Sequence, residues 1–316
     1  MAPPRPSARI HDVRKRLRPR TTTTLLLAAS ASLSISAGCS HAAGSFGELG
    51  FTHGEFPYVV HYADPQSNML ISNDWRLDNF YPDENTGALT PKRGPAYEFE
   101  LNVDTNGDGR QDFTRQKYSY DLLFEHKVND AAMWTRTMII SETDRDKSLK
   151  VLLRDYVDSI SGYGYALASV GGLVTVSVQV KRFATEVLET ETFALEGQRE
   201  ALRATLSVAD LDQVELSPSD RARRVTILFI KTGWNWRHWT SGVTAGNQAQ
   251  ATKAVDFPVI LLVGYANHPD DYAAQLPDFA RLVAQIELFE QEASPLEGID
   301  LPPEGKPGTG QRIVLP

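Results

Sequence analysis

Apolar and polar residues alternate with period two through much of the middle of this chain. In YEFELNV, Tyr97, Phe99, Leu101 and Val103 fall on one side and Glu98, Glu100 and Asn102 on the other, the signature of a half-buried strand. ALRATLSV repeats the pattern with Leu202, Ala204, Leu206 and Val208. Further runs of strand length, rich in β-branched and aromatic residues, are YSYDLLF (118–124), MWTRTMII (133–140), GLVTVSVQV (172–180), RVTILFI (224–230) and FPVILLVGY (257–265). Two segments switch to a helical period. SLKVLLRDYVDSISG spaces Leu149, Leu152, Leu153, Tyr156, Val157 and Ile160 along one stripe, with Gly162 as a stop. HPDDYAAQLPDFARLVAQIELF does the same with Phe279, Leu282, Val283 and Ile286, and Pro277 suits a first helical turn. Each helix has one apolar face, so each is expected to lie on a sheet. Strands in runs with few, separated helices predict an α+β fold with a mainly antiparallel sheet, compatible with an α/β/α sandwich.

The pattern also divides the chain. Residues 39–55 contain SHAAGSFGELG, small and glycine-containing, and read as a flexible tether. Residues 56–290 hold the periodic segments without an internal repeat or linker, which predicts a single globular domain. Residues 291–316 are dense in proline and glycine and read as a disordered tail.

Charge changes the picture at the front. The formal charge is −8 overall, yet residues 1–38 carry seven basic side chains against Asp12 alone, so the remainder stands at −14. So acidic a body repels nucleic acid, and no nucleic-acid partner is expected. The basic run is followed by TTTTLLLAASASLSISAG and then by Cys39, the only cysteine in 316 residues. A positive region, a moderately apolar stretch and small residues before a break are the layout of an export signal, and the threonines and serines make the stretch too polar for a comfortable membrane span. A lone thiol excludes an internal disulfide.

The stretch Ser36, Ala37, Gly38, Cys39 resembles the lipobox of bacterial lipoprotein precursors. In that family signal peptidase II cuts before the cysteine, whose sulfur carries diacylglycerol and whose amino group is acylated. The resemblance implies a signal peptide at 1–38, Cys39 as the lipid attachment point, a membrane partner through that lipid, and a place in the bacterial cell envelope. Ser40 resembles the enterobacterial signal for the outer membrane, with the protein facing periplasm or cell surface. Ser36 stands where the family prefers leucine. An ordinary secretory cleavage near Ala37 or within Ser40–Ala43 is the alternative. The closing order of a strand and LLVGYANHPDDYAAQLPDFARLVAQI resembles, over about a third of the chain, the end of PsbP-like domains, which have an α/β/α sandwich and serve as extracytoplasmic binding or assembly modules without catalysis.

The sharpest chemical motif is DTNGDGRQD. Asp104, Asn106, Asp108 and Asp112 offer side-chain oxygens at loop positions one, three, five and nine, and Gly109 permits the turn that brings the Arg110 carbonyl inward at position seven. Alternating hard oxygens suit Ca²⁺. Position twelve is Arg115 instead of a bidentate glutamate, and both flanks read as strands, so the loop resembles calcium loops of extracellular bacterial proteins, set at the tip of a hairpin. A weak structural site, on the order of 10⁻⁴–10⁻³ M, is expected. Asn106-Gly107 and Asp108-Gly109 are equally good hairpin-turn dipeptides without any metal.

GWNWRHW places Trp234, Trp236 and Trp239 beside Arg237 and His238. Exposed, the indoles would stack on a glycan or touch a lipid interface; facing inward, they are core. SGYGYALASVGG (161–172) is glycine-rich without phosphate-loop spacing and reads as a flexible connection. The chain has no G-x-S-x-G, H-E-x-x-H or P-loop motif, and no organic cofactor is expected. His53, His61, His126, His238 and His268 are scattered, so no catalytic residue is assigned. His268 and the aspartates after it are expected to open the last helix. The favoured reading is a non-catalytic binding or assembly module of the envelope with an envelope protein or glycan as partner. Its rivals are an extracytoplasmic hydrolase of glycans or esters and a purely structural envelope lipoprotein.

Overall fold

The computed structural model describes residues 43–62, 70–82, 84–85, 89–93, 98–103, 113–161, 163–170, 174–195, 199–240, 253–291 and 311–315. For 98–103, 113–118, 163–170, 174–181, 238–240 and 253–255 the description is of backbone. The larger sheet has seven antiparallel strands in the order β13 (Phe183–Ala194), β14 (Glu200–Asp210), β15 (Ala222–Thr240), β16 (Lys253–Asn267), β10 (Ala132–Ile139), β9 (Leu122–His126) and β4 (Trp75–Leu77). A smaller antiparallel sheet runs β1 (Gly44–Gly47), β2 (Gly50–His53), β3 (Tyr58–His61), β17 (Ile286–Leu288) and β18 (Gln311–Arg312). Three two-stranded ribbons join β5 (Phe80–Pro82) to β6 (Leu89–Pro91), β7 (Glu98–Val103) to β8 (Phe113–Tyr118) and β11 (Tyr163–Val170) to β12 (Val174–Lys181).

Strand β16 is apolar from Phe257 to Ala266 because both its faces are covered there. Ile260 and Leu262 pack toward helix α1 (Leu149–Ile160) together with Leu202, Ala204 and Leu206 of β14. Leu261, Val263 and Tyr265 face the other way, toward the smaller sheet and Phe279, Leu282 and Val283 of helix α2 (Tyr272–Gln285). The result is three layers: α1, the seven-stranded sheet, and α2 with the five-stranded sheet. This is the α+β architecture with mainly antiparallel sheets that the periodicity predicts. Each of these large side chains, when fully buried, contributes roughly 1.5–3 kcal/mol. Gly264 has a packing reason: it stands opposite Trp134 in the ladder, and a Cβ there would lie 2.1 Å from the indole ring.

Local chemistry sets the helix ends. Ser148 caps α1 by accepting a hydrogen bond from the Val151 amide. Helix α2 begins at Tyr272, so Pro277 lies inside the helix and not in its first turn. The added turn is held from outside: Asn267 donates its side-chain amide to the Asp271 carbonyl (3.1 Å) and to Gln275 Oε1 (2.8 Å), and Tyr265 donates its hydroxyl to the Tyr272 carbonyl (2.7 Å).

Several segments differ from the sequence expectation. Within the tether predicted at 39–55, β1 and β2 form a hairpin, with Phe51 fully buried and His53 buried. In the predicted tail at 291–316, β18 pairs with β17 and Ile313 is buried. Two aromatic or aliphatic anchors thus outweigh a local composition poor in strand formers. The glycine-rich stretch read as a connection contains β11. Strand β13 has no alternating apolar face, because it is an edge strand, largely exposed, with a bulge between Val187 and Glu189.

Candidate functional site

Cys39 and the loop residues Asp104, Asn106, Asp108, Arg110 and Asp112 lie outside the described residues. The backbone on either side of the loop is described, and Val103 pairs with Phe113 as the last rung of the β7–β8 ladder. Residues 104–112 therefore connect two paired antiparallel strands.

The tryptophans take the inward alternative. Trp234 is stacked against Phe56 and Tyr58, both at 6.1 Å between ring centroids, and donates its indole N–H to the Phe289 carbonyl at 2.9 Å. Trp236 is buried against Phe257. The Arg237 guanidinium grips Asp256 at 2.7 and 3.0 Å and holds that carboxyl below the usual carboxylate range. Ligand contact through Trp234 and Trp236 is corrected to core packing. The physical reason is the backbone: β15 breaks register between Lys231 and Asn235, with Gly233 at φ +78°, and re-enters the sheet with both indoles inward. The side chains of His238 and Trp239 lie outside the described residues.

The histidines fare differently. His61 meets Glu287 across the β3–β17 pair. His126 lies edge-on to Trp75 at 5.0 Å, and His268 accepts a hydrogen bond from the Asp270 amide. His53 enters a buried polar cluster that joins the two sheets. Its Nδ1 accepts the amide hydrogens of Glu55 (3.0 Å) and Phe56 (2.9 Å), which assigns the ring proton to Nε2. That nitrogen faces Asp121 Oδ1 and Thr137 Oγ1, each at 3.5 Å. The ring is stacked between Phe56 and Tyr58.

Asp121 is the hub. Its Oδ2 accepts the Tyr58 hydroxyl at 2.8 Å and the Thr137 amide at 2.6 Å, and its Oδ1 accepts the Thr137 hydroxyl at 3.2 Å. Thr135 completes the group at 3.3 Å from the Tyr58 oxygen. Burial, and then the Asp121 charge, push the Tyr58 hydroxyl well above its ordinary range, so it remains a donor. His53 is 2% exposed, Asp121 3% and Tyr58 1%. The trio has the residue types of an acid–base relay, but its hydrogen-bonding positions are taken up internally and no reacting atom can reach it; a catalytic base must come within hydrogen-bond reach of its substrate. What the arrangement does is tie β2 and β3 of the smaller sheet to β10 of the larger.

Sequence reasoning missed Tyr58, Asp121, Thr135 and Thr137. The available signal was Asp121 directly preceding the apolar run Leu122–Phe124, since a charge in such a run demands partners. The partners themselves are 63 or more residues away for Tyr58 and His53 and were invisible. No protein-family model matches the chain, and no curated protein matches it.

Proposed function

We propose that this protein is a lipid-anchored component of the bacterial cell envelope that binds or assembles with an envelope protein or glycan and does not catalyse a reaction. The observation that carries the non-catalytic part is the His53–Asp121–Tyr58 cluster, the best acid–base constellation among the described residues, which is sealed between two sheets and spent on holding them together. The anchor rests on the lipobox-like stretch ending in Cys39, with positions 1–38 as the signal peptide and the outer membrane as destination. The direct succession of β16 and α2 supports the PsbP-like resemblance. A second reading, a purely structural envelope lipoprotein, is favoured by the burial of Trp234 and Trp236.

Calcium belongs to this reading as a structural ion. The β7–β8 ladder supports it by bringing the ends of the 104–112 segment together as a hairpin loop would require. Asp104, Asn106, Asp108 and Asp112 would supply side-chain oxygens and Arg110 its carbonyl. Millimolar calcium is expected to raise the melting temperature, and Asp104→Ala combined with Asp108→Ala to abolish the rise. An identical melting temperature with and without the ion overturns the calcium site.

A further inference from the structure

His53 is held in a way that leaves no place for a second ring proton. Its Nδ1 accepts the Glu55 amide at 3.0 Å and the Phe56 amide at 2.9 Å, and its Nε2–H faces Asp121 Oδ1 and Thr137 Oγ1. The ring lies between Phe56 and Tyr58, with centroids 5.2 and 5.1 Å away and interplanar angles of 29° and 27°. Phe51 meets it edge-on at 6.4 Å. Turning the ring over would set a carbon where Nδ1 accepts, so the stacked orientation is the one that satisfies both amides.

The ring is surrounded by Phe51 from its own strand, Glu55 and Phe56 from the turn that follows, Tyr58 from β3, Asp121 from the approach to β9 and Thr137 from β10. Glu55, Tyr58 and Asp121 titrate, and Asp121 is the one charged side chain paired with the ring among the described residues. Its carboxylate favours a cation. Yet its oxygens already accept the Tyr58 hydroxyl and both the amide and the hydroxyl of Thr137, and it stands beside Nε2, which carries its hydrogen in the neutral ring. A further proton has to go to Nδ1, where two amide hydrogens already point. A protonated Nδ1 is a donor, so both amides lose their acceptor and the buried ring becomes a cation.

We infer that His53 is an acid-released clasp: proton uptake at Nδ1 drives the ring out of its slot, opens the turn at 53–56 and unfastens the smaller sheet from the larger, while the larger sheet stays folded. Released into water, an imidazole binds a proton below about pH 6.5, whereas the closed ring has no room for one. The closed turn is therefore fully protected above that pH, and its protection falls about tenfold for each unit below it. The window ends near about pH 4.5, where carboxylates begin to take up protons. Trp234 stacks on both Phe56 and Tyr58, so the opening also uncovers that indole. The device is separate from the proposed binding role and from the N-terminal lipid.

Hydrogen exchange of the full chain, read by mass spectrometry from about pH 7 down to about pH 4.5 and corrected for intrinsic exchange, tests the clasp. Peptides covering 51–58 are expected to lose protection about tenfold per pH unit below about pH 6.5, while peptides of β15 and β16 keep theirs. His53→Asn, whose side-chain oxygen accepts nearby backbone amides and does not titrate, is expected to hold the turn throughout that range. The inference is overturned if the turn of the unsubstituted chain stays protected, if it opens equally in His53→Asn, or if β15 and β16 lose protection in step with it. Should the variant leave the turn open at neutral pH, ¹⁵N-histidine spectra of the unsubstituted chain decide. Proton uptake by His53 that coincides with exposure of the Glu55 and Phe56 amides sustains the inference, and uptake that leaves those amides protected overturns it.

Discussion

Asp121 concentrates the residue-scale energetics of this protein. A carboxylate 3% exposed is stable only because donors surround it: one tyrosine hydroxyl, one threonine hydroxyl, one backbone amide and the facing Nε2 of His53. Removing the acceptor strands those donors in a dry interior. Asp121→Ala is therefore expected to cost about 3 kcal/mol or more in a urea unfolding series, on the scale of leaving several buried donors unsatisfied at about 1–3 kcal/mol each. A loss below about 1 kcal/mol, the range of an ordinary hydrogen bond, contradicts the network as drawn. Nothing local to Asp121 announces this role. A buried aspartate is legible in sequence as an anomaly, but its resolution lies 63 positions earlier at Tyr58.

At the scale of elements, legibility followed burial. Strands β14 and β16 were readable because α1 covers one face of β14 and the two flanking layers cover both faces of β16, so their side chains record the packing directly: Leu202, Ala204 and Leu206 toward α1, Leu261 and Val263 away from it. Strand β13 was unreadable because an exposed edge imposes no such pattern, and its glutamates and bulge are the means by which edges avoid pairing with other chains. The start of α2 was misplaced for another reason. Pro277 is the strongest local signal, but Tyr265 and Asn267 fasten the preceding turn from outside the helix. That fastening makes α2 sensitive to alkali. Burial raises the Tyr265 hydroxyl from 10.0 to about 12. A raised folded value means the stabilisation is complete below pH 10 and is lost as pH climbs toward 12, because the unfolded chain gives up the proton first. Burial raises Tyr58, Tyr120 and Tyr156 as well, so they add to the same slope. The melting temperature is expected to fall steadily between pH 10 and 12, less steeply in Tyr265→Phe; an equal slope in the variant contradicts the assignment.

Among the described residues, two buried polar groups join the sheets of this three-layered molecule. The Asp121 cluster is one and Arg199 is the other, where burial lowers the guanidinium without unpairing it. Arg199 donates to the Thr232 and Phe289 carbonyls and to Gln311 and Glu290, binding the chain's last described strand to the body. Residues 311–315 are thus part of the fold, although the sequence before them is dense in proline and glycine. Among the described residues no helix is long and apolar enough to cross a membrane. The proposed attachment to the envelope rests on the lipid on Cys39, while the acidic remainder of −14 keeps anionic surfaces at a distance. The most direct measurement is mass spectrometry of the N-terminal peptide of protein extracted from bacterial membranes. The lipid-anchor account predicts a chain beginning at Cys39 with diacylglycerol on its sulfur and an acyl group on its nitrogen. An unmodified Cys39, or a chain that begins at any other residue, contradicts it.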